Sequence, residues 1–209
     1  MDLTMILTFV AAILVLIGFI YSIFHLFEKS KPSVEYIVLL AILIAIAVVG
    51  RLIGMSLPSI QLASFIIIVV GIVYGGETGF LVGMFTAVVS DLFMGIGYWT
   101  FFQMLAWGLM GYSAGLFSSK LENIGIRVVF GFLWGYLYGW ITDFCMIPYM
   151  SSVDLKGFMA LYAAGIPVDT IHGLVNAVLL AVAFTWIRKI FLRNKVKYLP
   201  DKETAVEEN

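Results

Sequence analysis

The sequence predicts an all-α fold, a polytopic bundle of membrane-crossing helices. Three observations carry this. The chain is 62% hydrophobic and only 12% charged, with a mean hydropathy of +1.06. Its apolar residues fall into long runs of bilayer length, and its charges gather between those runs. A soluble domain has too little interior to hide that much apolar surface.

The elements follow in order. Residues 3–26 form the first apolar run. It lacks a basic start and a small-residue cleavage pattern, and it is long for a signal segment. It is therefore expected to be a retained span. Runs at 36–57, 63–74, 79–93, 100–117, 125–146 and 167–192 follow, for seven helices in all. The 63–74 run falls short of the about 20 residues that a bilayer core of about 30 Å requires. It must tilt, extend or be shielded by its neighbours. Pro32, Pro58, Pro148 and Pro200 lie outside the runs. Pro167 is expected at a helix start, where its missing N–H costs nothing. The stretch 148–165 reads as a long loop, and the acidic end from 201 to 209 reads as disordered.

The net charge of −1 sets up no global field for nucleic acid, and the single Cys145 excludes an internal disulfide and a cysteine zinc cluster. Lys and Arg predict orientation. With the N-terminus outside, the inner loops and tail hold Lys29, Lys31, Lys120, Arg127, Arg188, Lys189, Arg193, Lys195, Lys197 and Lys202. Only Arg51 and Lys156 lie on the outer side, a strong positive-inside bias.

Small residues recur at four-residue spacing: Gly71, Gly75, Gly79 and Gly83, then Gly111 and Gly115, then Gly131, Gly135 and Gly139. This spacing lets helix backbones touch in lipid, where no hydrophobic drive brings helices together. Ala41 and Ala45 form a similar smooth stripe on the second run. From spacing alone, internal packing is the favoured reading of that stripe.

On this topology Arg51, Gln61, Asp91, Trp99, Gln103, Trp107, Asp143, Tyr149, Asp169, His172 and Asn176 all fall toward the outer half. A one-sided polar set points to a cavity open to one face. A proton relay or channel would place such residues at several depths. The stretch from Gly95 to Trp107 is the most informative part. Two glycines break the apolar runs, and Tyr98, Trp99, Gln103 and Trp107 then crowd the start of the next helix. Flat apolar faces with a few aimed polar groups line small-molecule sites. Trp99, Gln103 and Trp107 are spaced by four, so one helical face presents all three. An interfacial aromatic belt is the plain alternative. Other residues have plain alternatives too. Arg51 could snorkel to headgroups or pair with Asp143. Asp91 could cap or pair near a helix end. Asp169 could sit at a helix N-terminus, where a carboxylate favours the dipole. His172 could simply bond a neighbouring helix.

Catalytic patterns are few. The sequence holds no H-E-x-x-H, no phosphate-binding loop and no G-x-S-x-G. An intramembrane enzyme using Asp143, Asp169 and His172 is one alternative, and a standalone secondary carrier is another. Matched broken helices in two halves would mark the carrier, and none is evident.

From about Tyr36 to Leu192 the chain resembles the substrate-binding S components of energy-coupling factor (ECF) vitamin transporters. The resemblance rests on Gly50-Arg51, Leu57-Pro58-Ser59-Ile60-Gln61, Gly71-Ile72-Val73-Tyr74-Gly75-Gly76-Glu77-Thr78-Gly79 and Ser90-Asp91. Its most specific part is Gly97-Tyr98-Trp99-Thr100-Phe101-Phe102-Gln103-Met104, followed by Leu105-Ala106-Trp107-Gly108. Relatives often carry Gly-Pro-Trp-Thr-Pro-Trp-Gln-Met there. Tyr98, Phe101 and Phe102 replace two prolines and a Trp, and Asp91 stands where many relatives have Asn.

The resemblance implies a six-helix core over residues 31–195, an extra N-terminal transmembrane helix in 1–30, and a cytoplasmic tail from 196 to 209. It implies a vitamin site facing outside, lined by the polar set above together with Tyr98. It implies no catalytic residues, metal or cofactor in this chain. ATP would be used by two partner ATPase subunits, and a transmembrane coupling subunit would dock on Ala41 and Ala45. The Trp-Thr-x-x-Gln-Met pattern is most similar to the cobalamin type. Riboflavin, pantothenate or a folate are the alternative ligands.

Overall fold

The computed structural model describes residues 14, 17–18, 20–25, 27–29, 32–54, 60, 62–150 and 154–198. Among these residues the fold is helical throughout, without a strand. The helices are α1 (Val34–Gly54), α2 (Leu62–Tyr74), α3 (Gly76–Met94), α4 (Tyr98–Leu116), the short α5 (Ser118–Leu121) and α6 (Ile124–Asp143). A 3-10 turn (Phe144–Tyr149) leads to α7 (Leu155–Val182) and α8 (Phe184–Tyr198). Val34–Gly54, Gly76–Met94, Ile124–Ile147 and Leu155–Val182 are long and apolar enough to cross a membrane.

The short α2 is explained by shielding. Ten of its 13 residues are buried, from Ala63 to Val73. A helix apolar on every side belongs at the centre of a bundle, and α1, α3 and α4 wrap this one while α7 and α8 touch it.

The glycine spacing acts as expected at the tightest pairings, α3 on α4 and α6 on α7. A Cβ on Gly79 would strike the Gly111 backbone, and one on Gly83 would strike that of Trp107. On α6, Gly135 meets the Gly173 backbone, Gly131 meets Leu180, and Gly139 meets the Asp169 carboxylate. Gly79, Gly83 and Gly135 meet backbone and are closed to any larger residue, whereas at Gly131 and Gly139 a side chain would have to give way.

The end of the chain differs from expectation. The 148–165 stretch is mostly structured, and the 167–192 span is divided between two helices. α7 begins at Leu155, because the Asp154 side chain accepts the Gly157 N–H at 2.8 Å and caps it. Pro167 lies inside α7. Its missing donor is tolerable in a helix packed among neighbours. The helix turns at Ala183, where composition changes from apolar to basic. α7 is 28 residues long, about 42 Å at 1.5 Å per residue. Asp169 is thus well inside the helix, about 21 Å from its start. The dipole reading of Asp169 does not hold.

Arg127 locks this end of the bundle. It is 4% exposed. Its guanidinium donates to the carbonyls of Leu180 (3.1 Å), Leu121 (2.8 Å) and Glu122 (3.0 Å), and it stacks 3.7 Å from the centre of the Phe184 ring. α8 reaches across to α2. Tyr74 Oη donates to the Phe191 carbonyl at 2.8 Å, and Lys195 Nζ donates to the Val73 carbonyl at 2.8 Å. Lysine is well placed there, since the last carbonyls of a helix lack partners.

Most of the span expected at 3–26, and the tail from 199 onward, lie outside the described residues. The described part of the N-terminal segment packs on the core. Ile23 is buried, Phe24 meets Phe85 edge-on and Phe27 meets Tyr36.

Candidate functional site

The polar residues gather where α1, α3 and α6 end and where α2 and α4 begin. α3 stops at Met94, and Gly95 follows at φ 104° with its N–H bonded to the Asp91 carbonyl at 2.7 Å. A left-handed backbone favours glycine. α4 then starts at Gly97. Its N–H donates to Thr100 Oγ1 at 3.2 Å, and the Thr100 hydroxyl donates to Asp91 Oδ2 at 2.5 Å. The glycine break is thereby tied to α3.

Arg51 occupies the centre of this end. Nη1 pairs with Asp91 Oδ1 at 2.8 Å and donates to Ser90 Oγ. Nη2 donates to Gln103 Oε1 at 2.9 Å. The guanidinium carbon lies 4.7 Å from the centre of the Trp107 ring, within cation–π range. Arg51 therefore neither snorkels outward nor pairs with Asp143. Burial explains the choice: both partners are almost sealed, at 6% and 1% exposed, and a buried charge needs a partner.

A second network continues from the first. Trp107 Nε1 donates to Ser64 Oγ at 2.9 Å, and Ser64 Oγ lies 2.8 Å from His172 Nε2. Indole is a donor only, so Ser64 Oγ accepts from Trp107, and the direction of its bond with His172 follows the imidazole tautomer. Tyr138 packs between the two rings, 5.0 Å from Trp107 and 5.1 Å from His172. Ser64 beside His172 has the look of a nucleophile and base. Ser64 is fully buried, however, and among the described residues no carboxylate bonds the other ring nitrogen of His172.

Beyond this wall lies a cleft of about 200 Å³ lined by Tyr138, Gly139, Thr142, Asp143, Gly165, Val168, Asp169 and His172. Asp143 and Asp169 face it together. A Cβ on Gly165 would lie 3.2 Å from Asp169 Oδ2 and 3.4 Å from Asp143 Oδ2. Both Oδ2 atoms are buried without a hydrogen-bond partner.

The expected site residues divide by burial. Arg51, Asp91, Trp107 and Asn176 are sealed behind the cleft. Asn176 Nδ2 bonds the Gly131 carbonyl at 3.3 Å. Asp143, Asp169 and His172 line the cleft. Tyr98, Trp99 and Tyr149 form an exposed aromatic cluster, with Tyr98 stacked on Tyr149 at 5.7 Å and edge-on to Trp99 at 5.3 Å. Exposure falls along the α4 face, from Trp99 through Gln103 to the fully buried Trp107. Gln61 lies outside the described residues. Ala41 and Ala45 are exposed on α1, beside exposed Ile37, Val38 and Ile42.

Sequence reasoning missed Ser64, Ser90, Thr100 and Tyr138. Ser64 carried a signal, as the one hydroxyl in the apolar run 62–73. Ser90 and Thr100 adjoin residues already singled out. Tyr138 gave none, being one aromatic among many.

These features define a polytopic membrane protein with a small polar cleft between α6 and α7 and a cluster of exposed aromatics where α4 begins. The family model for the ECF-type riboflavin transporter, S component, matches residues 31–189. The chain belongs to this family of transporter S components and is a multi-pass membrane protein. No match exists among curated proteins or among solved structures.

Proposed function

We propose that the chain captures a vitamin at the outer face of the membrane and delivers it through a coupling subunit and two ATPases that are separate chains. One observation carries the reading furthest: the cleft between α6 and α7 lies toward the end of the bundle that the Lys and Arg distribution assigns to the outside. Asp143, Asp169 and His172 contact the ligand in this reading, and Tyr98, Trp99 and Tyr149 cover it. Gln103 borders the entry. Arg51, Asp91, Trp107 and Asn176 hold the wall. The exposed face around Ala41 and Ala45 docks the coupling subunit.

Cobalamin is the proposed vitamin. The Trp99-Thr100-x-x-Gln103-Met104 pattern supports it, and the exposed aromatic cluster offers broad ring faces to a large corrin. The size of the cleft favours a second reading, a smaller vitamin such as riboflavin, pantothenate or a folate, because about 200 Å³ is below the about 300–1,000 Å³ usual for small-molecule pockets. Thermal unfolding of the purified chain with a vitamin panel tests both. Stabilisation by cyanocobalamin at micromolar concentration supports the first. Stabilisation by a smaller vitamin alone supports the second, and no shift with any vitamin rejects the binding role.

A further inference from the structure

The cleft is acidic, and nothing described in the protein balances it. Asp169 is 4% exposed, and its Oδ2, like that of Asp143, has no hydrogen-bond partner. The ion pairs of Arg51 with Asp91 and of Arg188 with Glu122 involve neither cleft carboxylate. Thr142 gives no help, because its hydroxyl donates to the Tyr138 and Gly139 carbonyls on its own helix. Buried carboxylates are costly in a membrane and are kept where they serve a partner.

The glycines show that this arrangement is built. Gly139 and Gly165 are the places where any side chain would press on the two carboxylates. Glycine at these places keeps a side chain from pressing on the two carboxylates that line the cleft. A bare divalent cation is a poor match. Calcium takes six to eight oxygens and magnesium near-ideal octahedral geometry, and no group of three or more metal-binding side chains occurs among the described residues. Two acceptors across a narrow apolar slot suit an N–H-rich group, which satisfies both oxygens at once. A carboxylate or phosphate would meet two like charges.

We infer that the Asp143–Asp169 cleft receives a cationic or amide N–H group of the substrate and rejects an anionic one, which restricts the vitamin to forms presenting such a group. This rests on the vitamin-binding reading above and deepens it.

Matched ligand pairs test it on the purified full chain in detergent. The probes are cyanocobalamin and its monocarboxylate, nicotinamide and nicotinate, pyridoxamine and 4-pyridoxate, and riboflavin and its phosphate. Dissociation constants are measured for wild type, Asp143→Asn and Asp169→Asn. In any pair that binds, the non-anionic member should bind at least about tenfold tighter to wild type. That ratio should shrink several-fold in each variant, because an Asn removes the charge and keeps the shape. The two variants serve as checks on each other if one folds poorly. Equal binding of the anionic member to wild type overturns the inference. A preference that persists unchanged in both variants also overturns it, while leaving the vitamin-binding reading intact. A wild-type chain that binds no member of any pair overturns the inference, and the wider vitamin panel above then decides the vitamin-binding reading separately.

Discussion

Arg51 and Asp91 form a buried ion pair, with Nη1 2.8 Å from Oδ1 and the two side chains 6% and 1% exposed. Ser90, Gln103 and the Trp107 ring complete the shell around the guanidinium. Three helices, α1, α3 and α4, are joined at this point. Removing one partner leaves an uncompensated charge, so Asp91→Ala is expected to cost about 3–5 kcal/mol. The double variant Arg51→Met with Asp91→Leu should cost clearly less than the sum of the single changes. Unfolding in detergent checks both, and simple additivity would show that the pair is not coupled.

Gly139 lies against the Asp169 carboxylate. Gly139→Ala should destabilise the chain by about 1–3 kcal/mol through overpacking, and should weaken binding of whichever vitamin the panel identifies. Gly18, where a Cβ meets nothing within 4 Å, is the control. Gly18→Ala should stay within about 0.5 kcal/mol of wild type.

Arg127 holds three backbone carbonyls from two segments. Arg127→Ala should lose about 1.5–3 kcal/mol, the range for hydrogen bonds to a charged group. Hydrogen exchange in 184–198 should quicken, because α8 loses its anchor at Phe184. Arg127→Lys should restore little, since an ammonium lacks the planar fork that reaches Leu180 and Leu121 together. Full rescue by lysine would show that charge alone matters there.

Ala41→Trp and Ala45→Trp place bulk on an exposed face of α1. Vitamin binding should be unchanged, and co-purification of the coupling subunit should fall. Co-purification at wild-type levels would reject the docking role.

Cys145 is the single cysteine, and it is partly exposed in the turn after α6. A membrane-impermeant maleimide applied to intact cells should label it if that end faces outward. Labelling only after lysis would invert the topology.

How much of this was legible in the sequence varied with distance along the chain. Four-residue glycine spacing marked the helix faces that pack closely, because that spacing is itself the geometry of a helix face; which helices meet there was not legible. The boundary of α7 was not legible. Pro167 read locally as a start, while the actual start is set by the Asp154 cap. The tie between Arg127 and the Leu180 carbonyl, 53 residues apart and close to the break at Ala183, was not legible either. The sequence grouped the polar residues by depth, but their division into exposed aromatics, cleft lining and sealed interior was not legible. Trp99 and Trp107 share one face of α4, and only the neighbouring helices make one exposed and the other sealed.

The sequence by itself determined the class of fold, the approximate spans and the end of the bundle where polar chemistry collects. Length, hydropathy and charge are sums over neighbouring residues, so local reading suffices for them. Only the tertiary structure decided that Arg51 pairs with Asp91 rather than Asp143, that Ser64 bridges Trp107 to His172, and that Asp143 and Asp169 share one cleft. Each of these joins residues from different helices. Which carboxylate lies within a few ångströms of a given cation is set by how the helices pack, and no pattern along a single helix records it.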